Sequence, residues 1–178
     1  MRSRSFLPLV VVAAEVLVYL RYQAFGAEFH FWLHGMVGGT LGLGALATLR
    51  LLRPGRRPPS MWAAAGAGHA YAAFPDVLFL GAGLLHVWWM DVFALHVRIH
   101  FVPAPLATMF VGFSLALTAA VAVELQARRT AAFALATLVI VLAVAFARQH
   151  RVPAGLHEKG GAPAMAGVSG RRERTWSR

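Results

Sequence analysis

The sequence predicts an all-α, polytopic integral membrane bundle of about five transmembrane helices, six if 77–99 crosses as a helix of its own. Three observations carry this expectation. Of the 178 residues, 58% are hydrophobic and only 13% are charged, against about 25% charged in soluble domains. The apolar residues fall in runs long enough to cross a bilayer. The arginines fall between those runs and in the C-terminal segment, which is where cytoplasmic loops carry them. The net charge of +10 is thereby explained by topology and by contact with anionic membrane lipids. Nucleic acid is not an expected partner, since there is no soluble basic fold to present a patch for it. Cysteine is absent. That excludes disulfides, thiolate zinc sites and cysteine-held iron–sulfur clusters, and leaves imidazole and carboxylate as the strong metal ligands.

Taken in order, the first run is 6–20, bracketed by Arg2, Arg4 and Arg21. Glu15 in its middle and a weak small-residue pattern near Ala24 and Gly26 read as a retained anchor rather than a cleaved signal. The second span, about 30–49, is glycine-rich. Gly35 with Gly39, and Gly38 with Gly42, make the small-xxx-small spacing that lets helix backbones approach closely. A proline-broken segment with Arg50, Arg53, Arg56 and Arg57 follows over 50–60 and is expected to stay cytoplasmic. A third apolar stretch, 61–85, is interrupted by Phe74-Pro75-Asp76, where proline is expected to kink or break the helix. The stretch 86–101 is more polar and aromatic, and Pro103 and Pro105 end it. Two further spans, 106–123 and 131–147, are separated by Glu124, Gln126, Arg128 and Arg129. The expected division is a transmembrane domain over 1–147 and a disordered basic tail over 148–178. The protein is expected in a bacterial-type plasma (inner) membrane, among membrane lipids.

Histidines and aspartates written into this apolar sequence mark the candidate site, because ionisable groups at membrane depth are costly and are functional by default. His30-Phe-Trp-Leu-His34 is an i, i+4 pair, whose imidazoles lie on one helix face roughly 6 Å apart and can bind one metal. His96-Val-Arg-Ile-His100 repeats the spacing. On one helix, His86, His96 and His100 fall within an arc of about 80°, with Asp91 on the other side. His86 and His100 would then stand about 21 Å apart along the axis, too far for one ion. That favours five spans, with 86–100 folded back on the outer face beside His30 and His34. Asp76, after Pro75, is the natural carboxylate ligand or general base. His69, two turns earlier on the same face, is either a ligand or a histidine bonded to a neighbouring helix. Asp91 is a candidate catalytic carboxylate or a partner orienting an imidazole. Glu15 is expected to face the bundle interior, pairing with Arg21 or with a neighbouring helix.

The order of His34-Gly35 opening a glycine-rich helix, then Phe74-Pro75-Asp76 at a membrane boundary, then His86, His96 and His100 resembles the membrane-bound metal-dependent hydrolases, small multi-span proteins likened to zinc phospholipase C. The resemblance covers about residues 30–105. It implies zinc held by His34, Asp76 and some of His86, His96 and His100, and a water activated against a phosphoester or other lipid linkage. Two other readings stand beside it. One is a non-enzymatic transporter or accessory subunit, in which His69, Asp76 and Glu15 line a path. The other is a membrane di-iron oxidase or desaturase, or a haem protein, since imidazole-rich ligation also suits iron.

Overall fold

The computed structural model describes residues 6–54, 59–82 and 88–150. Among them are five α-helices and no strand: α1 (Phe6–Ala24), α2 (Glu28–Leu52), α3 (Met61–Ala82), α4 (Pro105–Glu124) and α5 (Arg128–Ala147). Three of these, α2, α4 and α5, are long and apolar enough to cross a membrane. Large apolar side chains are turned outwards on α4 and α5, Phe133 at 75% exposure and Val139 at 65% among them. Such a surface is ordinary for helices facing hydrocarbon, where interior packing rests on small residues and close fit.

Short corners force the chain to run up and down. α1 ends in a glycine-closed turn: the Ala27 amide donates to the Tyr22 carbonyl at 2.9 Å, the Gly26 amide to Gln23 at 3.0 Å, and Gly26 takes φ +63°. This pattern satisfies the orphan carbonyls of a helix end and needs a residue that tolerates the left-handed region. The pair Ala24 and Gly26 thus closes a helix corner. The α4–α5 corner repeats the pattern, with Ala127 donating to Ala122 at 2.7 Å and Gln126 to Val123 at 3.1 Å. There the left-handed position is held by Gln126, φ +59°.

α2 is the hub, packing on all four other helices and most extensively on α3 and α4. Its glycines explain how. A Cβ on Gly38 would run into the backbone of Gly68 and His69, one on Gly42 into the backbone of Ala64 and Ala65, and one on Gly68 into the Gly38 carbonyl. The α2 and α3 backbones therefore touch directly, as the Gly38/Gly42 spacing predicts. Gly39 serves a different partner: its face is filled by the ring of Phe113 from α4. Alanine does the same work between α4 and α5, where Ala116, Ala119, Ala120, Ala131 and Ala134 are buried.

One expectation needs correction. Pro75 does not break the third helix, since α3 continues through it to Ala82. The cost of proline in a helix interior is the lost amide and the clash with the preceding turn, and only about two turns of α3 lie beyond it. Among the described residues after α3, no α-helix forms before α4. Residues 88–101 form two short 3-10 turns, Trp88–Val92 and Arg98–Phe101, joined through Ala94 and Leu95 at φ +61° and +57°. Among the described residues, 88–101 are therefore not one α-helix, which agrees with the folded-back alternative rather than with a helix of its own over 77–99. His86 lies outside the described residues.

The glycine contact yields a contrast that stability measurements can read. Gly42→Ala should lower the thermal stability of the detergent-solubilised protein, by about 1–3 kcal/mol for overpacking against rigid backbone. Gly66→Ala is the control, because a Cβ there meets nothing within 4 Å, and the gain in helix propensity is up to about 1 kcal/mol. Equal melting temperatures for the two variants would contradict a backbone-to-backbone α2–α3 interface.

Candidate metal centre

The α2–α3 contact fixes two helices side by side, and each carries one ligating residue beyond the glycine zone, towards the α1–α2 corner. His34 lies in the second turn of α2, and Asp76 follows Pro75 in α3. His96 is delivered by the turn that follows. Its position depends on Asp91, whose Oδ1 accepts the amides of Val97 at 2.8 Å and Arg98 at 3.1 Å while Oδ2 meets Arg98 Nε at 3.3 Å. A carboxylate accepting two amides is a strong local staple. It holds the left-handed Ala94–Leu95 step that turns His96 inward. Tyr71 of α3 donates its hydroxyl to the Val92 carbonyl, and Phe93 packs on Phe74 at 5.1 Å between ring centroids, so the turn is tied to the helix that carries Asp76.

The outcome is a cluster of His34, Asp76 and His96 in which one potential ligand atom from each residue lies within 4.8 Å of the others. His96 Nε2 is 3.3 Å from Asp76 Oδ1, and His34 Nε2 is 3.6 Å from Asp76 Oδ2. For metal–ligand bonds of about 2.1 Å, ligands on a tetrahedral ion stand roughly 3.4 Å apart; each separation is near that value, one to each oxygen of Asp76, so a cation there would be met by both imidazoles and by the carboxylate between them. All three residues are at most 1% exposed. Burying two imidazoles and a carboxylate is costly unless charge and hydrogen-bonding demands are met within the site. His34 Nε2 makes no hydrogen bond among the described residues.

The surroundings of His96 sharpen this. Its Nδ1 faces the Ala72 carbonyl at 3.4 Å, and because a carbonyl can only accept, a hydrogen on Nδ1 would leave Nε2 facing Asp76 with its lone pair, the form that binds a cation. Orientation of a ligand imidazole by a backbone carbonyl on its other nitrogen is the usual support of a metal-binding histidine.

Around the three lie further polar groups. The His34 and His96 rings are stacked, centroids 4.1 Å apart and 10° from parallel. His100 lies 5.4 Å from His34 and 4.5 Å from His30. Both His30 and His100 are half-buried. Tyr22, 4% exposed, stacks on His30 at 6.0 Å and lies within electrostatic reach of Asp76. Sequence reasoning passed over Tyr22; a lone phenol in the last turn of an apolar helix, beside the corner that leads to His30, was the available signal. Beneath the cluster, Leu33, Val37, Ala72, Ile99 and Met109 form a dry floor.

The remaining candidates go elsewhere. His69 is not at the cluster: its Nε2 is 2.8 Å from Glu15 Oε2, which joins α3 to α1 two turns from Asp76. Glu15 therefore has a neighbouring helix as partner rather than Arg21. Asp91 is taken up by the turn and does not reach the cluster.

No protein-family profile, curated protein or solved structure matches this chain. The donor set and its spacing carry the functional reading.

The three-ligand description predicts a pattern of metal loss. His34→Ala, Asp76→Ala and His96→Ala should each reduce bound metal on the monodisperse protein to background by elemental analysis. His69→Ala should leave the stoichiometry unchanged. Undiminished metal in all three ligand variants would remove the site.

Proposed function

We propose that the protein is a multi-pass membrane metallohydrolase of the plasma (inner) membrane, with zinc held by His34, Asp76 and His96, acting on a lipid or phosphoester-type substrate. The observation that carries this reading is the buried cluster of two imidazoles and one carboxylate at ligand spacing. Three protein ligands are the complement of a catalytic zinc, which keeps a fourth position for water or substrate, whereas structural zinc takes four. The same donors also suit ferrous iron, which leaves three positions open. His30 and His100, crowded against His34, favour the ion with fewer open positions. The resemblance to membrane-bound metal-dependent hydrolases agrees with this choice.

Zinc bound there supplies Lewis acidity towards water and towards a phosphoryl or acyl oxygen. The chain's own residues do the rest. Asp76 turns one oxygen to each imidazole and so sets the angle between the two rings. The Ala72 carbonyl, facing Nδ1 of His96, aims Nε2 at the site. His30 and His100, half-buried beside His34, would be the polar groups nearest a substrate at the cluster. Exposed Phe25, Phe29 and Trp32 at the α1–α2 corner supply the aromatic edge found at the boundary between hydrocarbon and headgroups, where a lipid linkage lies.

The test is elemental analysis and an ultraviolet–visible spectrum of the purified protein, followed by hydrolysis assays on phospholipid and lipid-phosphate substrates. Near-stoichiometric zinc, no visible band, and activity lost with chelator and in His34→Ala are expected. Iron with visible absorbance would replace this reading with the redox one.

A second reading, a cation or proton pathway in a transporter or accessory subunit, is favoured by the Glu15–His69 pair between α1 and α3, since ionisable pairs within spans mark such paths. The readings separate on one variant. As a hydrolase, Glu15→Gln keeps its bound zinc and at least half its turnover; as a transporter, it loses cation or proton flux in proteoliposomes.

A further inference from the structure

The largest unexplained feature lies at the other end of the bundle. Arg50 stands sixteen residues after His34 on α2, about 24 Å along the axis, close to the thickness of a bilayer core. There the C-terminal end of α2 and the α4–α5 corner enclose a cavity of about 250 Å³, lined by Arg50, Arg53, Glu124, Gln126 and Arg128 among others. Three guanidiniums face one carboxylate. Arg50 forms an ion pair with Glu124 and donates to the Pro59 carbonyl at 3.4 Å, and Arg128 donates to the Leu51 carbonyl at 2.8 Å. These contacts hold the side chains in place without neutralising the excess of positive charge. Arg50 Nε is buried and makes no hydrogen bond among the described residues, and Arg53 has no ion pair among them.

Gln126 adds an independent observation. It occupies the left-handed corner position, φ +59°, where glycine is the residue without steric cost and other L-residues are strained. A glutamine side chain kept in that conformation at the wall of an arginine-lined cavity supplies an amide donor that glycine could not.

We propose that this cavity binds a phosphate group, with the guanidiniums of Arg50, Arg53 and Arg128 and the Gln126 amide as donors. Guanidinium forks match phosphate oxygens in geometry as well as in charge. The shared chemistry fits an anionic phospholipid headgroup or a free phosphate. Leu52 and Leu125, 73% and 74% exposed, flank the cavity, and they give acyl chains an apolar surface beside the headgroup. This inference does not depend on the metal reading.

The experiment is native mass spectrometry of the full chain released from vesicles of phosphatidylcholine containing phosphatidylglycerol, alongside thermal shifts with inorganic phosphate in detergent. The expected result is about one retained phosphatidylglycerol per chain and several-fold less in the Arg53→Gln/Arg128→Gln double variant. Gln126→Glu should show the same loss without touching the contacts that hold the corner. Arg129, outside the cavity lining, is the control for net charge alone. A saturable thermal shift with phosphate that both cavity variants abolish, without lipid retention, would support the site and assign it to free phosphate. Equal retention of phosphatidylglycerol and phosphatidylcholine with no phosphate effect would overturn it. So would an equal loss in Arg129→Gln.

Discussion

The rest of the structure depends on the direct contact between the backbones of α2 and α3. Gly38 and Gly42 on one helix and Gly68 on the other remove every side-chain atom from the line of contact, so the helix axes come as close as polypeptide allows. In an apolar surrounding there is little hydrophobic drive to press helices together, and this close fit supplies dispersion contacts instead. It also sets a distance. His34 and Asp76 leave their helices just beyond the glycine zone, where two backbones in contact put an imidazole and a carboxylate a few ångströms apart. A bulkier seam would separate them beyond the reach of a shared ion.

Helix positions were largely legible in the sequence because they follow from run length and hydropathy. The glycine spacing on α2 predicted the close approach, although only the structure shows that Gly39 belongs to α4 rather than to the same seam as Gly38 and Gly42. The region 86–101 was the hardest to read. Its residues are compatible with a helix, and what prevents one is Asp91, whose carboxylate captures two amides six and seven residues ahead. Nothing in the spacing of histidines reveals such a side-chain-to-backbone preference. The folded-back alternative, favoured because one helix would hold its histidines too far apart, agrees with the turns at 88–101, and His34, Asp76 and His96 were all among the candidate residues. Pro75 did mislead. It stays within α3, and its effect is local: only the Tyr71 carbonyl, four residues earlier, loses its helical amide donor.

The two ends of the bundle are chemically opposite. One gathers imidazoles and carboxylate in a nearly dry interior, a donor set for a cation. The other gathers guanidiniums at an open corner, a donor set for an anion. α2 runs through both, with Glu28 and His30 in its first turn and Arg50 in its last. Basic residues near a helix C-terminus are also favoured by the helix dipole, so the arginine end agrees with local helix electrostatics as well as with whatever binds there.

The three residues of the cluster come from α2, from α3 and from the turn that follows, separated along the chain by whole helices. An ion coordinated by all three acts as a cross-link between distant chain positions. Its binding free energy is then added to the folding free energy, because an unfolded chain has no assembled site. The turn that carries His96 gains most, for it has no long helix of its own and is otherwise held by Asp91 and a few contacts to α3. Metal supply in the surrounding medium would thus set the resistance of this segment to local opening and to proteolysis, a form of control that acts on the protein's lifetime rather than on its chemistry.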